Sequence, residues 1–219
     1  MPLSHARPTD LSDPLPSPSS ARVPGWAVGT AALTPLGMIG GWTLAAAVQD
    51  PGFDPVRDTI SALATQSMHA PAIMTAGLAL TGLGHVATAA ALRSARAPGR
   101  VALAVGGLAT LLVAALPVDS SPRAHGVAAA IGFGALSIWP VLASRRGGPG
   151  PLRPAVAVAS TGALLALLTW FVVELQGLGP DAGAATGLAE RAVAGAQSVW
   201  PLVVVGGLLR AARARDRTT

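Results

Sequence analysis

Apolar residues in this chain come in long uncharged runs, and the polar residues are gathered into the gaps between them. The first run, 26–48, holds 23 residues without a charge. At 1.5 Å per helical residue it exceeds the ~30 Å hydrocarbon core of a bilayer. Further uncharged runs lie at 70–92, 101–118, 126–144, 155–173 and 192–209. The pattern predicts an all-α, polytopic membrane protein, a six-transmembrane-helix bundle made of three helical hairpins over 25–212. Residues 1–24, rich in Pro and Ser with no apolar face, read as a disordered cytoplasmic tail, and 213–219 as a basic one. The run after the first tail is too long for a signal-peptide core, and no small-residue cleavage site follows it.

Composition agrees. Hydrophobic residues make up 51% of the 219 and charged ones 11%, with a mean hydropathy of +0.54. That is about half the charged share of a soluble domain, too little to cover a water-exposed surface. All fifteen basic residues are Arg, a bias given no functional weight. The chain has no Cys, so disulfides and thiolate chemistry are excluded. A net charge of +5 suggests nucleic acid only where a basic face carries stacking aromatics, and here topology accounts for it. Twelve Arg fall in the tails, between the second and third runs and between the fourth and fifth; only Arg57, Arg123 and Arg191 fall elsewhere. The positive-inside rule then places both termini in the cytoplasm of a plasma-membrane protein.

Two hairpins share a signature, Ser137-Ile138-Trp139-Pro140 and Ser198-Val199-Trp200-Pro201. Each Pro frees the carbonyl four residues earlier, at Leu136 and Gln197, and matched packing kinks outweigh a moving hinge as the reading. Small residues such as Gly77 with Thr81, Ala102 with Gly106, and Gly206 with Gly207 favour close helix approach.

The longest polar interruption, 50–67, holds Asp50, Asp54, Arg57 and Asp58. Asp54 before Pro55 has the form of an N-cap and first helical residue, so a short helix is predicted there with Val56, Ile60 and Leu63 on one face. Asp119, Arg123 and His125 fall in the second outer loop, and Glu174, Asp181, Glu190 and Arg191 at the third. The stretch Asp54-Pro55-Val56-Arg57-Asp58-Thr59-Ile60-Ser61-Ala62-Leu63, with Pro117-Val118-Asp119, His125-Gly126 and Gly187-Leu188-Ala189-Glu190-Arg191, resembles a six-span bacterial and archaeal membrane family, domain of unknown function 998. The resemblance covers about residues 25–212. It implies that Arg57, Asp58, Ser61, Asp119, His125, Glu190 and Arg191 are characteristic polar positions, and it brings no activity.

Three readings of that cluster stay open. It is an ion-pair network in which Arg57 and Arg191 neutralise Asp58, Asp119 and Glu190. Or it is an outer-leaflet site for a lipid or isoprenoid-like molecule, with Arg57, Asp58, Ser61 and Arg191 binding the headgroup and Asp119, His125 and Glu190 as acid or base. Or the chain is a small transporter, in which His85 within the second span and Gln197, seven residues past Glu190, begin an inward polar path. A metal at His69, Asp119, His125 and Glu190 lacks any recognised ligand spacing, and no cofactor or nucleic-acid partner is expected.

Overall fold

The computed structural model describes residues 23–179 and 183–217. The reading of 1–24 as a disordered tail therefore falls outside the described residues except for Val23 and Pro24, and so does Asp181. Among the described residues the regular structure is helical. After a broken first segment come α3 (Ala72–Ala91), α4 (Ala97–Ala115), α5 (Pro122–Ala143), α6 (Pro154–Leu175) and α7 (Thr186–Asp216). These five helices are each long and apolar enough to cross a membrane. The α7 helix continues through Arg213 and Arg215, beyond the boundary at 212 read from the sequence.

The first predicted span is not one helix. It consists of α1 (Ala27–Pro35), a π-helical segment Leu36–Gly40 and α2 (Gly41–Ala47). Pro35 has no N–H to give to the Ala31 carbonyl, and the break begins at that residue. The Thr34 hydroxyl takes over the bond to Ala31 O at 2.8 Å, and the same oxygen lies within reach of Ser198 O on α7. The π-segment then lies directly on α3: a Cβ built on Gly77 would stand 2.5 Å from Gly37 O. On the far face of α3, Gly82 and Gly107 of α4 each put a carbonyl where the other's Cβ would be, at 2.7 Å. Lipid tails are as apolar as Leu, so close backbone approach of this kind, rather than expulsion from water, holds such helices together.

One end of the bundle carries the segment 48–71 with the connections before α5 and α7, and hydrogen bonds join all three there: Gln66 N–H donates to Asp119 Oδ2 at 3.0 Å, and Gly187 N–H to Arg57 O at 3.2 Å. We call this the capped end. The opposite end holds the connections before α4 and α6, joined where Arg96 N–H donates to Ala143 O. A core of Leu103, Leu136, Trp139, Leu152 and Val205 fills that half, and one of Ile60, Leu63, Met74 and Leu78 fills the capped half. The α6 helix is the most exposed of the five and packs mainly along α5, α7 and the short turn Gly150–Leu152.

Candidate functional site

The segment 48–71 takes its shape from its own carboxylates. Asp54 Oδ1 accepts the Val56 N–H at 2.9 Å, and Asp58 Oδ2 accepts the Asp54 N–H at 2.8 Å. The pair closes a single turn, with Arg57 and Asp58 N–H both on Asp54 O. The predicted helix does not continue from it. A second turn, Ala62–Ala64, is 3₁₀ and starts where Thr59 Oγ1 accepts the Ala62 N–H at 3.1 Å. Short polar side chains that bond nearby backbone groups offer the chain an alternative to the helical ladder.

This turn is seated on the first residues of α7. Gly187 and Leu188 give their N–H groups to Arg57 O and Val56 O at 3.2 and 2.9 Å, satisfying donors that a helix start leaves open. Only glycine fits at 187, where a Cβ would lie 2.2 Å from Asp58 O. One helical turn further on, Arg191 Nη1 lies 2.8 Å from Pro55 O, 2.7 Å from Asp58 O and 3.0 Å from Gly187 O. Its guanidinium also stacks over Phe53 at 5.9 Å. Glu174 Oε2 completes the seat by accepting the Ala185 N–H at 3.1 Å.

Pinned in this way, the segment aims Ile60 and Ser61 at Glu190, which is 4% exposed. Ile60 N–H donates to Glu190 Oε2, and Glu190 Oε1 lies 3.3 Å from Ser61 Oγ. Ser61 Oγ is 3.0 Å from His125 Nε2, and His125 Nδ1 is 2.8 Å from Leu116 O. His125 is 5% exposed, in the first turn of α5. One loop and the first turns of two helices thus bring a carboxylate, a hydroxyl and an imidazole into one line.

Hydrogen counting restricts what the line can be. Leu116 O is only an acceptor, so the contact at Nδ1 requires a proton on that nitrogen. Ser61 has one hydrogen for two neighbours. If it goes to the Glu190 carboxylate, Nε2 must supply its own proton and His125 is an imidazolium. If it goes to Nε2, His125 is neutral and a protonated Glu190 completes the line. The two arrangements differ by one proton passed through Ser61, with no change in total charge. The contact between Ser61 and His125 also has the spacing of a nucleophile and its base. But acyl transfer needs hydrogen-bond donors at the oxyanion, and a carboxylate stands beside this oxygen. The geometry suits proton transfer.

The other residues singled out from sequence lie elsewhere. Arg57 is exposed and pairs with Asp54 at 3.7 Å. The Asp58 carboxylate is spent on the turn, and its carbonyl rather than its side chain meets Arg191. Asp119 is exposed, its two oxygens accepting the Gln66 and Ser120 N–H groups. In place of the ion-pair network of the first reading, these side chains bond to backbone; Arg57 pairs with Asp54, and away from the cluster His69 Nε2 lies 3.0 Å from Asp50 Oδ2. No three His, Asp or Glu side chains among the described residues come together as metal ligands would.

Glu190, Ser61 and His125 line a crevice of about 470 Å³ between α5 and α6. Its walls are mostly apolar, with Phe133, Leu168, Phe171, Val172 and Leu175 prominent beside Thr59 and Gln176. The rings of Phe133 and Phe171 are 5.4 Å apart. Nothing in the sequence marked the four on α6, because that helix is apolar on nearly every side and has no face to read. Gly187 was visible only as part of the motif, and the Leu116 carbonyl not at all.

A family model described as Protein of unknown function (DUF998) matches residues 24–207. The chain belongs to that family, as the resemblance implied. No curated protein and no solved structure matches it.

Proposed function

We propose that this DUF998 protein binds the head of a lipid or isoprenoid-like molecule in the crevice between α5 and α6, and exchanges a proton with it through Glu190, Ser61 and His125. The carrying observation is that a buried carboxylate and a buried imidazole meet on one hydroxyl in the wall of a mostly apolar crevice. Its volume lies within the range of small-molecule sites. The Arg distribution supports a plasma-membrane orientation with the capped end outward and both termini cytoplasmic. In that setting the broken helix 27–47 is the sixth span, and the spans form three hairpins.

The headgroup expectation changes with the geometry. An anionic head would need a guanidinium in the crevice, but neither Arg57 nor Arg191 lines it; Arg191 Nη1 is held by carbonyls, and its buried Nη2, which has no partner among the described residues, is not on the crevice wall. A neutral hydroxyl head, able to donate to Glu190 and accept from Ser61 or His125, fits better. The test uses a photoreactive isoprenoid alcohol and its phosphate ester in proteoliposomes. The alcohol should label α5 and α6 near Phe133 and Phe171, with labelling lost in Ala130→Trp, which fills the crevice, and weakened in Glu190→Gln. Equal or stronger labelling by the phosphate, or labelling indifferent to Ala130→Trp, would overturn the proposal.

A further inference from the structure

Behind the cluster, a second and much smaller cavity leads into the middle of the bundle. Its polar lining is Ser61, Glu190, Thr110, Gln197 and His85, and it shares Ser61, Ala129, Phe133 and Glu190 with the wall of the crevice. Gln197 lies two helical turns beyond Glu190 on the same face of α7, about 10 Å along the axis. His85 lies about 20 Å along α3 from its first residue at the capped end.

The groups here lack protein partners of the right kind. His85 is 1% exposed, and neither ring nitrogen meets a hydrogen-bond partner among the described residues. The ring stands against the backbone carbonyls of Gln197 and Thr81 without bonding either in ordinary geometry. Gln197 donates both amide hydrogens, to Phe133 O at 2.9 Å and Ser137 Oγ at 3.0 Å, which leaves its amide oxygen as an acceptor. Its backbone carbonyl has no helical donor, because residue 201 is Pro. Buried polar groups of this kind are ordinarily satisfied.

Size decides what satisfies them. The cavity is about 50 Å³, against the roughly 10–15 Å³ that one water needs. It is nearly ten times smaller than the crevice, so it takes a few waters and no lipid tail. We infer that it is a water pocket linking Glu190 to His85, through which protons exchange between the crevice and a histidine deep in the bundle. Each step breaks one O–H bond and forms one O–H or N–H bond, so a proton leaving Glu190 Oε arrives on a ring nitrogen of His85 with no other reactant. This does not depend on what occupies the crevice. Glu190 is the one other ionisable side chain lining the pocket.

The test is water-edited solid-state NMR on ¹⁵N-histidine-labelled protein in bilayers. The chain has four His, and the His85 signals are identified by their loss in His85→Asn. In the unmodified protein the His85 ring nitrogens should show transfer from water. Ala194 lies on α7 between Glu190 and Gln197 and lines the pocket, so Ala194→Leu should abolish that transfer while His125 keeps its signal. Should Ala194→Leu disturb His125 as well, Gly132→Val plugs from α5, where a Cβ would sit in ordinary contact, 3.4 Å from Ala109. A dry His85 in the unmodified protein, or water transfer that survives the plug, overturns the inference.

Discussion

Replacing Gly187 by Ala tests whether the seat of the 48–71 segment on α7 builds the site. The added Cβ would lie 2.2 Å from Asp58 O and 2.8 Å from Arg191 Nη1. To reach ordinary contact the loop must retreat by about 1.2 Å. The bonds from Gly187 N–H to Arg57 O and Leu188 N–H to Val56 O, at 3.2 and 2.9 Å, then stretch past useful length. Each contributes about 1 kcal/mol net, and the Arg191 contacts to Pro55 O and Asp58 O contribute about 1.5–3 kcal/mol as charge-assisted bonds. Losing the seat costs about 3–5 kcal/mol, which for a chain of this size lowers Tm in detergent by roughly 10 °C. Because the chain has no Cys, loop position can be read separately. A thiol introduced by Leu63→Cys, at a fully buried position, should resist a water-soluble maleimide in the Gly187 background and react in the Gly187→Ala background. Unchanged Tm together with continued protection would refute the account.

Two further outcomes follow from the same contacts. Gly107→Val puts two methyl groups where a Cβ alone would be 2.7 Å from Gly82 O and 2.9 Å from His85 Cβ; it should separate α3 from α4 and leave little monodisperse protein on size exclusion in detergent. Glu190→Gln keeps an oxygen for the Ile60 N–H and should stay within about 1 kcal/mol of the parent by thermal unfolding. By contrast Arg191→Gln, which strips the loop of its charged donor, should cost about 2–3 kcal/mol; equal losses for the two would dissolve the distinction between them.

Five of the six predicted spans were legible because lipid-facing helices must be uncharged over about twenty residues, and that signal survives without knowledge of packing. The break in the first predicted one, 26–48, was not. Pro35 is plain in the sequence, but the shift into a π-segment goes with Gly37 meeting Gly77 on another helix, a long-range contact. The short helix predicted from Asp54 failed for a local reason. The cap was read correctly, but Asp58 turned back to bond the Asp54 N–H, and a carboxylate four residues on can serve a turn as well as a helix. The same ambiguity governed the site. Seven polar residues at loop ends were visible, but whether a carboxylate takes a cation or a backbone N–H depends on which backbone donors the turns expose. Asp58 and Asp119 took backbone donors.

Glu190 and Arg191 show how adjacent residues on one helix come to divide the work. Neighbours point about 100° apart around the axis, so they cannot share a partner, and here they do not. Arg191 turns to the carbonyls of Pro55 and Asp58 and holds the loop from its outer side. Glu190 turns inward to Ile60 N–H and the Ser61 hydroxyl. With the loop pinned by a neighbouring cation, by Gly187 and by two backbone bonds, its position does not hang on the charge of Glu190. In the proposed function, that frees the carboxylate to gain or lose a proton without releasing the roof above it. A side chain that must change state in a buried site needs such independence, and a side chain that served only to clamp the loop would not need a second clamp beside it.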